Sequence, residues 1–148
     1  MSKTVEYFLS PQSPWCYLGH QRLADIVRDK GALVEPRPFD LGKVFSVSGG
    51  LPLSKRAPQR QAYRLLELER WSKSLGLPMN VQPAFFPVSP DAASRLIIAA
   101  RTSLGVDAAM ALSGAIMRGL WAEDKNIADE DMLAQAANLL GFDGRMLL

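Results

Sequence analysis

The first 41 residues have the pattern of a strand, a helix and a second strand, and this order most constrains the fold. Thr4–Leu9 is β-branched and aromatic, which predicts a buried strand. Apolar residues recur at helical spacing over residues 14–30, and Gly31 supplies a C-terminal stop. Residues 33–41 predict a second strand, whose two prolines favour an edge position. Such crossovers place the strands parallel, so the chain begins with a β-α-β unit.

The rest of the chain predicts helices and loops. Residues 42–57 are rich in Gly, Ser and Lys and predict a loop, and residues 80–88 predict another. Helices are predicted at residues 58–75, 89–104, 107–122 and 130–140. A two-stranded sheet is marginal by itself. Either the helices cover it, or further strands are expected beyond residue 148.

Composition narrows the class of protein. The 148 residues are 48% apolar and 22% charged, as in an ordinary globular domain. A net charge of +2 is mild and the basic residues are scattered, so we expect neither a nucleic acid nor a membrane as partner. One cysteine excludes an intrachain disulfide, and one histidine makes a zinc site improbable, so no metal is expected. The N-terminus has no signal-peptide pattern, and a cytoplasmic location is expected.

The loop before the first helix holds the candidate catalytic segment, Ser13-Pro14-Trp15. Serine before proline is ordinary at a helix start, since the hydroxyl caps a backbone N–H and proline takes the first helical position. The same pair recurs at Ser89-Pro90, so capping alone explains it. The functional interpretation rests on position. Ligands bind at the carboxyl ends of strands in such units, and a helix N-terminus attracts anions, including thiolates.

Cys16 and His20 have weaker claims to a role. Cys16 lies in the first helical turn, where a thiol can be reactive. Disulfide exchange, however, needs a second cysteine at position 13, so an inert, half-buried Cys16 is favoured. His20 has neither a cysteine nor an aspartate at a triad-like spacing, and it is interpreted as a surface residue or as one that supports the site from behind.

The later aromatic and charged residues are interpreted structurally. Trp71 and Trp121 are predicted to anchor the core. Phe85-Phe86 is either a pocket wall or a hydrophobic plug beneath a loop. The helix at residues 58–75 carries a charged face that is interpreted as solvated, comprising Arg60, Arg64, Glu67, Glu69 and Arg70.

Together these segments resemble a known family. Residues 8–19, Phe-Leu-Ser-Pro-Gln-Ser-Pro-Trp-Cys-Tyr-Leu-Gly, are similar to the active-site segment of the DsbA-like branch of the thioredoxin superfamily. Ser-Pro-Trp in place of Cys-Pro-Trp is typical there of 2-hydroxychromene-2-carboxylate isomerases and of their relatives, the kappa-class glutathione transferases. Three later segments agree in order and spacing: residues 63–71 with 76–78, residues 86–87, and residues 120–129.

The resemblance implies a fold, a cofactor and a partner. The expected fold is α/β, a thioredoxin-like β-α-β unit with an all-helical insertion domain. Residues 1–41 would be the N-terminal half of the thioredoxin-like domain and residues 42–148 the insertion, with the C-terminal half expected to be absent from this chain. The family also implies glutathione as cofactor, a small aromatic substrate and a homodimer.

The resemblance also assigns site residues. Ser13 maps onto the family's catalytic serine, and Ser13, Pro14 and Trp15 are expected to bind glutathione. Substrate contacts are expected from Lys43, Ser54, Phe86 and Ser89. Ser54 and Ser89 stand where the best-known isomerases carry asparagine, and the family's Val-Pro-Thr cis-proline loop does not occur before Leu148.

The implied activity is a glutathione-dependent isomerisation in aromatic-compound degradation. Glutathione thiolate would add to a hydroxychromene carboxylate, and rotation followed by loss of the thiolate would give a trans benzylidenepyruvate. Two alternatives stay open at this point. One is a kappa-like glutathione transferase, which releases the conjugate. The other is a non-catalytic binding or dimerisation module, and a side redox activity of Cys16 also remains open.

Overall fold

The computed structural model describes residues 3–148, which form two strands and seven α-helices. In chain order these are β1 (Thr4–Leu9), α1 (Pro14–Asp29), β2 (Leu33–Pro38), α2 (Leu41–Ser48), α3 (Pro58–Leu75), α4 (Asp91–Leu104), α5 (Val106–Glu123), α6 (Glu130–Leu139) and α7 (Gly144–Leu147), with a 3-10 turn at Leu53–Lys55. The predicted α/β class, a β-α-β unit followed by helices, is confirmed. None of the helices in this range is long and apolar enough to cross a membrane.

The two strands pair in parallel, as the crossover predicts. The register runs from Thr4 opposite Leu33 to Leu9 opposite Pro38. Within residues 3–148, β2 has β1 as its single neighbour, so its prolines lie on an edge strand as expected.

The prediction that β1 is buried is wrong for most of the strand. Leu9 is the one buried residue of β1, and Val5 and Phe8 are exposed. The reason is that α4 and α5 pack against β2. Strand composition predicts pairing, but burial depends on which strand the helices cover.

α5 is the central helix of the core. Ten of its residues are buried, and it packs against α1, α4, α6 and β2. Trp121 near its end is fully buried, which confirms that residue as a core anchor. The same prediction for Trp71 is wrong, because α3 buries Leu68 alone and leaves Trp71 44% exposed.

Two helices were not predicted, one of them within the predicted loop at residues 42–57. Asp40 begins α2 by accepting the Lys43 N–H at 3.1 Å, and Gly49 ends it in the left-handed region at φ 75°. No residue of α2 is buried, although Leu41, Val44 and Phe45 recur at helical spacing along it. The short α7 begins at an Asp143 cap and buries Leu147.

The boundary expected at residue 41 stays a prediction about domain organisation. One continuous buried cluster draws on both sides of that boundary. It includes Leu9 and Leu18 together with Leu68, Ile97 and Leu112. The first turn of α1 is therefore supported by the later helices.

Candidate functional site

Ser13 is the N-cap of α1, directly after the loop that follows β1. Its backbone is extended, with φ −77° and ψ 124°, and its Oγ accepts the Cys16 N–H at 3.3 Å. Its own N–H donates to the Ser10 carbonyl at 2.9 Å, which closes the loop. The predicted cap is confirmed. Among the described residues the Ser13 hydroxyl hydrogen has no acceptor, so it is free to donate to a ligand.

The rest of this helical turn also suits an anion. Pro14 occupies the first helical position and has no N–H to satisfy. The Trp15 N–H has no acceptor within residues 3–148, and the Trp15 side chain is 46% exposed. No acidic residue lies in this turn, so the positive end of the helix dipole is not neutralised. The three residues predicted to bind glutathione thus share one turn, in which Trp15 is exposed, Ser13 is half-buried and Pro14 is buried.

Two titratable side chains lie behind this turn. His20 is 8% exposed, so the interpretation as a surface residue is wrong. Its Nε2 lies 2.9 Å from the Met110 carbonyl, which can only accept, so Nε2 carries the hydrogen. Nδ1 then accepts from the Tyr7 hydroxyl at 3.3 Å. Room for the ring exists because the facing residue on α5 is Gly114, where a Cβ would come within 3.1 Å of the imidazole.

Burial keeps both of these groups uncharged. It lowers the pKa of His20, although the bond to Met110 opposes that shift. It raises the pKa of Tyr7, and the charge of a Cys16 thiolate raises it further. Cys16 is half-buried against the core, as predicted. The Tyr7–His20 pair is a satisfied, neutral support for the α1 turn.

A second polar contact ties α1 to the loop before α4. The Tyr17 hydroxyl donates to the Pro78 carbonyl at 2.6 Å, and burial raises the pKa of Tyr17. In the same loop, Phe86 is half-buried, with its ring centroid 4.9 Å from that of Trp121. Phe86 therefore belongs to the cluster that carries Cys16 and Tyr17.

Arg64 departs from the prediction of a solvated face on α3. Its Cζ lies 5.2 Å from the ring centroid of Phe86 and 5.9 Å from that of Trp121. Burial lowers its pKa, and the charge of Arg56 lowers it further. The other members of the face are more typical, since Glu69 pairs with Lys73 at 2.8 Å on the exposed surface.

The remaining predicted substrate contacts lie on exposed segments. Lys43 is on α2 with its Nζ 3.9 Å from an Asp40 carboxylate oxygen, and Ser54 is in the 3-10 turn. Ser89 lies one residue before the N-cap of α4, and its Oγ accepts the Asp91 N–H at 3.3 Å, so it is not the cap that the sequence suggested. No hydrogen bond within residues 3–148 joins these three residues to Ser13. Their role in binding substrate stays a prediction.

An open groove lies elsewhere, beside α6. Its volume is about 580 Å³, and its lining includes Phe85, Lys125, Met132 and Arg145. It contains none of the residues predicted to bind glutathione or substrate. Phe85 thus lines an open groove, while Phe86 is half-buried and packs against the core.

Sequence reasoning missed Tyr7 and Arg64 near the site, and it left His20 open between a surface position and a support behind the site. A signal existed for Tyr7, because it is two residues before the buried Leu9 and so faces the same side of β1. His20 could be placed only with knowledge of α5, which lies 90 residues further on. Arg64 required knowledge of the aromatic residues opposite α3.

Comparison with known proteins agrees with the fold described above. Residues 4–147 match the model of the DSBA-like thioredoxin domain. The chain is 26% identical over 148 residues to a 2-hydroxychromene-2-carboxylate isomerase of Sphingobium xenophagum, covering 99% of this chain and 73% of that protein. It is 25% identical over 140 residues to the isomerase of that name from Pseudomonas putida, covering 94% of this chain and 66% of the relative.

Solved structures show the same fold. A structure of 2-hydroxychromene-2-carboxylate isomerase matches 97% of this chain and 68% of its own, with a TM-score of 0.76 and 25% identity. The cytosolic disulfide reductase DsbM from Pseudomonas aeruginosa matches 97% of this chain and 68% of its own, with a TM-score of 0.67 at 20% identity. The chain therefore belongs to the DsbA-like thioredoxin-domain family.

Proposed function

We propose that this chain is a glutathione-dependent isomerase of the 2-hydroxychromene-2-carboxylate type, in which Ser13 holds the sulfur of glutathione as a thiolate. The observation that carries the proposal is the free hydroxyl hydrogen of Ser13 at the N-terminus of α1. A hydroxyl that already accepts a backbone N–H has a fixed oxygen position, and its hydrogen can turn towards an anion.

The residues of the turn fit a thiolate. The Ser13 hydroxyl would donate a charge-assisted hydrogen bond, and the unpartnered Trp15 N–H adds a second donor. The first turn has no acidic residue, so the α1 dipole favours the anion without competition. Because serine has no thiol, glutathione held at position 13 would not form a mixed disulfide with that residue.

Bound glutathione would supply the nucleophilic sulfur for the isomerisation and recover it at the end of each turnover. This chain would hold the sulfur as a thiolate through a hydrogen bond from Ser13 Oγ, and it would keep the first turn of α1 rigid. Tyr7 and His20 support the turn from behind with a neutral hydrogen-bonded pair. Phe86 offers an aromatic surface for the substrate next to the cluster that carries the turn.

The relatives supply further support. Two curated relatives and one solved structure carry the isomerase name. A structure of DsbM, which has the same fold, was solved with GSH. The homodimer and cytoplasmic location typical of the family are part of the proposal, and light scattering of the purified chain tests the former.

Two measurements test the proposed function. Calorimetric titration should show glutathione binding that is weakened in Ser13→Ala; no binding by the wild-type chain would leave a non-catalytic module. Product analysis with a hydroxychromene carboxylate should then show isomerised product with glutathione recovered unchanged. A stable glutathione conjugate would instead indicate a kappa-like transferase.

A further inference from the structure

Arg64 on α3 is a half-buried cation without an acidic partner. No ion pair or side-chain hydrogen bond of Arg64 occurs within residues 3–148, so its N–H donors are free. Further along α3, Arg70 pairs with Glu67 at 3.6 Å and Lys73 with Glu69 at 2.8 Å, whereas the exposed Arg60 has no acidic partner within residues 3–148. A half-buried guanidinium whose N–H groups have no protein acceptor is available to bind an anion.

Two aromatic rings hold this guanidinium in place. Its Cζ lies 5.2 Å from the centroid of Phe86 and 5.9 Å from that of Trp121, within the range of cation–π attraction. The rings attract the positive charge, and they offer no carbonyl or carboxylate acceptor to its N–H groups. The platform therefore positions Arg64 and leaves its donors available.

Trp121 adds an independent observation. The residue is fully buried, and its indole N–H has no acceptor in the part of the chain that the structure describes. Buried donors without an acceptor are rare in folded proteins. The indole N–H and the guanidinium belong to one aromatic cluster, so this cluster has an excess of hydrogen-bond donors and positive charge.

The surrounding segment has the same excess of positive charge. Residues 41–66 contain no Asp or Glu, but they carry Lys43, Lys55, Arg56, Arg60 and Arg64. Positive charge is thus concentrated here, contrary to the scattered distribution inferred from the net charge. Arg56 is held over the ring of Phe45 at 5.9 Å and donates to the Leu51 carbonyl at 2.8 Å, and its charge lowers the pKa of Arg64. An anion between such groups would relieve their repulsion.

Arg64 and its two aromatic rings are packed against the same buried cluster as the first turn of α1, which begins at Ser13. Arg64 lies one helical turn before Leu68, which is buried in the same cluster as Tyr17 and Trp121. Phe86 and Cys16 pack against that cluster as well. The cation platform and the first turn of α1 are therefore parts of one packed unit.

We infer that Arg64, seated on Phe86 and Trp121, binds a carboxylate of the ligand while the Phe86 ring contacts an aromatic part of it. The inference rests on the proposed function and deepens it, because it assigns a residue to the charged group of an aromatic carboxylate. Glutathione also carries carboxylates, so the test must separate the two sources of this group.

The test uses the full chain labelled with nitrogen-15, with the indole N–H resonance of Trp121 as reporter. Trp15→Phe and Trp71→Phe, both at exposed positions, assign that resonance by elimination. Benzoate should shift it in a saturable manner, whereas benzyl alcohol, which has the ring without the charge, should not. Arg64→Gln should weaken benzoate binding by about tenfold, the usual effect of one charge-assisted pair.

Arg60→Gln is the matched control, because Arg60 is exposed one turn earlier on the same helix and pairs with no acid within residues 3–148. Arg60→Gln should leave benzoate binding within about twofold of wild type, since an exposed charge contributes little. Arg64→Lys should give an intermediate loss, since it keeps the charge without the planar fork, and it serves if the glutamine variant does not fold.

The remaining outcomes separate the hypotheses. Competition between glutathione and benzoate would assign the carboxylate to glutathione and overturn the inference, because glutathione has no aromatic ring, whereas simultaneous binding would support a substrate carboxylate at Arg64. A silent Trp121 resonance, or equal weakening by Arg64→Gln and Arg60→Gln, would overturn the inference, even with Ser13-dependent glutathione binding intact. A normal benzoate response without glutathione binding would instead refute the proposed function alone.

Discussion

Replacing Ser13 with alanine removes one oxygen atom and two interactions that can be measured separately. The first is the cap: Oγ accepts the Cys16 N–H at 3.3 Å. Loss of an N-cap costs about 0.5–2 kcal/mol of stability. Because this bond is longer than the usual distance of about 3 Å, we expect the lower part of that range, about 0.5–1 kcal/mol.

The second interaction is the proposed bond to the thiolate. Removing a single donor to a reacting anion lowers turnover by about 10²-fold or more, equivalent to about 2.7 kcal/mol in the barrier. A domain with several kcal/mol of stability remains almost entirely folded after losing about 1 kcal/mol. The expected drop in turnover therefore cannot arise from unfolding.

The assays are urea unfolding followed by tryptophan fluorescence and steady-state turnover at saturating glutathione. Asp129→Ala is the control, since Asp129 caps α6 by accepting N–H groups at 2.9 and 3.4 Å and has no proposed role in binding. It should cost about 1 kcal/mol of stability and leave turnover unchanged. If Ser13→Ala loses stability as expected but keeps turnover within about threefold of wild type, the reasoning is refuted and only the cap remains.

Three further variants test other parts of the structure. Burial lowers the pKa of His20, the chain's single histidine, so the unfolded chain takes up its proton first. The free energy of unfolding should therefore fall as the pH drops from about 6.5 towards the folded pKa. His20→Gln should flatten that slope in urea titrations, and an unchanged slope would contradict the assignment. Gly144→Ala should destabilise by about 1–3 kcal/mol, because a Cβ there collides with the Ala134 backbone, and thermal unfolding should show it; an unchanged Tm would contradict the close approach of α6 and α7. Ser13→Cys should form an intrachain disulfide with Cys16 in air, detected by mass spectrometry, since a Cys-x-x-Cys pair at a helix start is redox-active; a persistently free dithiol would contradict the predicted geometry.

The elements that sequence could predict are those with a local signature. The strand composition of Thr4–Leu9, the Ser-Pro cap at position 13 and the apolar spacing of Pro58–Leu75 each specify structure without distant contacts. α2 escaped prediction because Gly and Ser are frequent over residues 42–50, which favours a loop. Two signals for a helix were available, the capping aspartate Asp40 and the helical spacing of Leu41, Val44 and Phe45.

The surroundings of each side chain were harder to predict from the sequence, for a physical reason. Burial depends on which distant element lies opposite. The exposure of Phe8 follows from α4 and α5 packing on β2, and the burial of His20 follows from a glycine on α5. Arg64 looked solvated because its own helix face is charged, but its partners are rings on a loop and on α5. The cap at Ser13 could thus be predicted, and His20 was given a supporting role as one alternative, but the partners of Tyr7, His20 and Arg64 could not be predicted.

The central claim is that Ser13 holds glutathione sulfur as a thiolate, and the most direct measurement is the pKa of that thiol in the complex. Thiolate absorbs in the ultraviolet, so a pH titration of the bound state reports the pKa. A free cysteine-type thiol titrates near pH 8.5. The structure predicts a bound pKa clearly below that of free glutathione in the wild-type chain and a return towards the free value in Ser13→Ala. Equal pKa values in the two complexes would contradict the account.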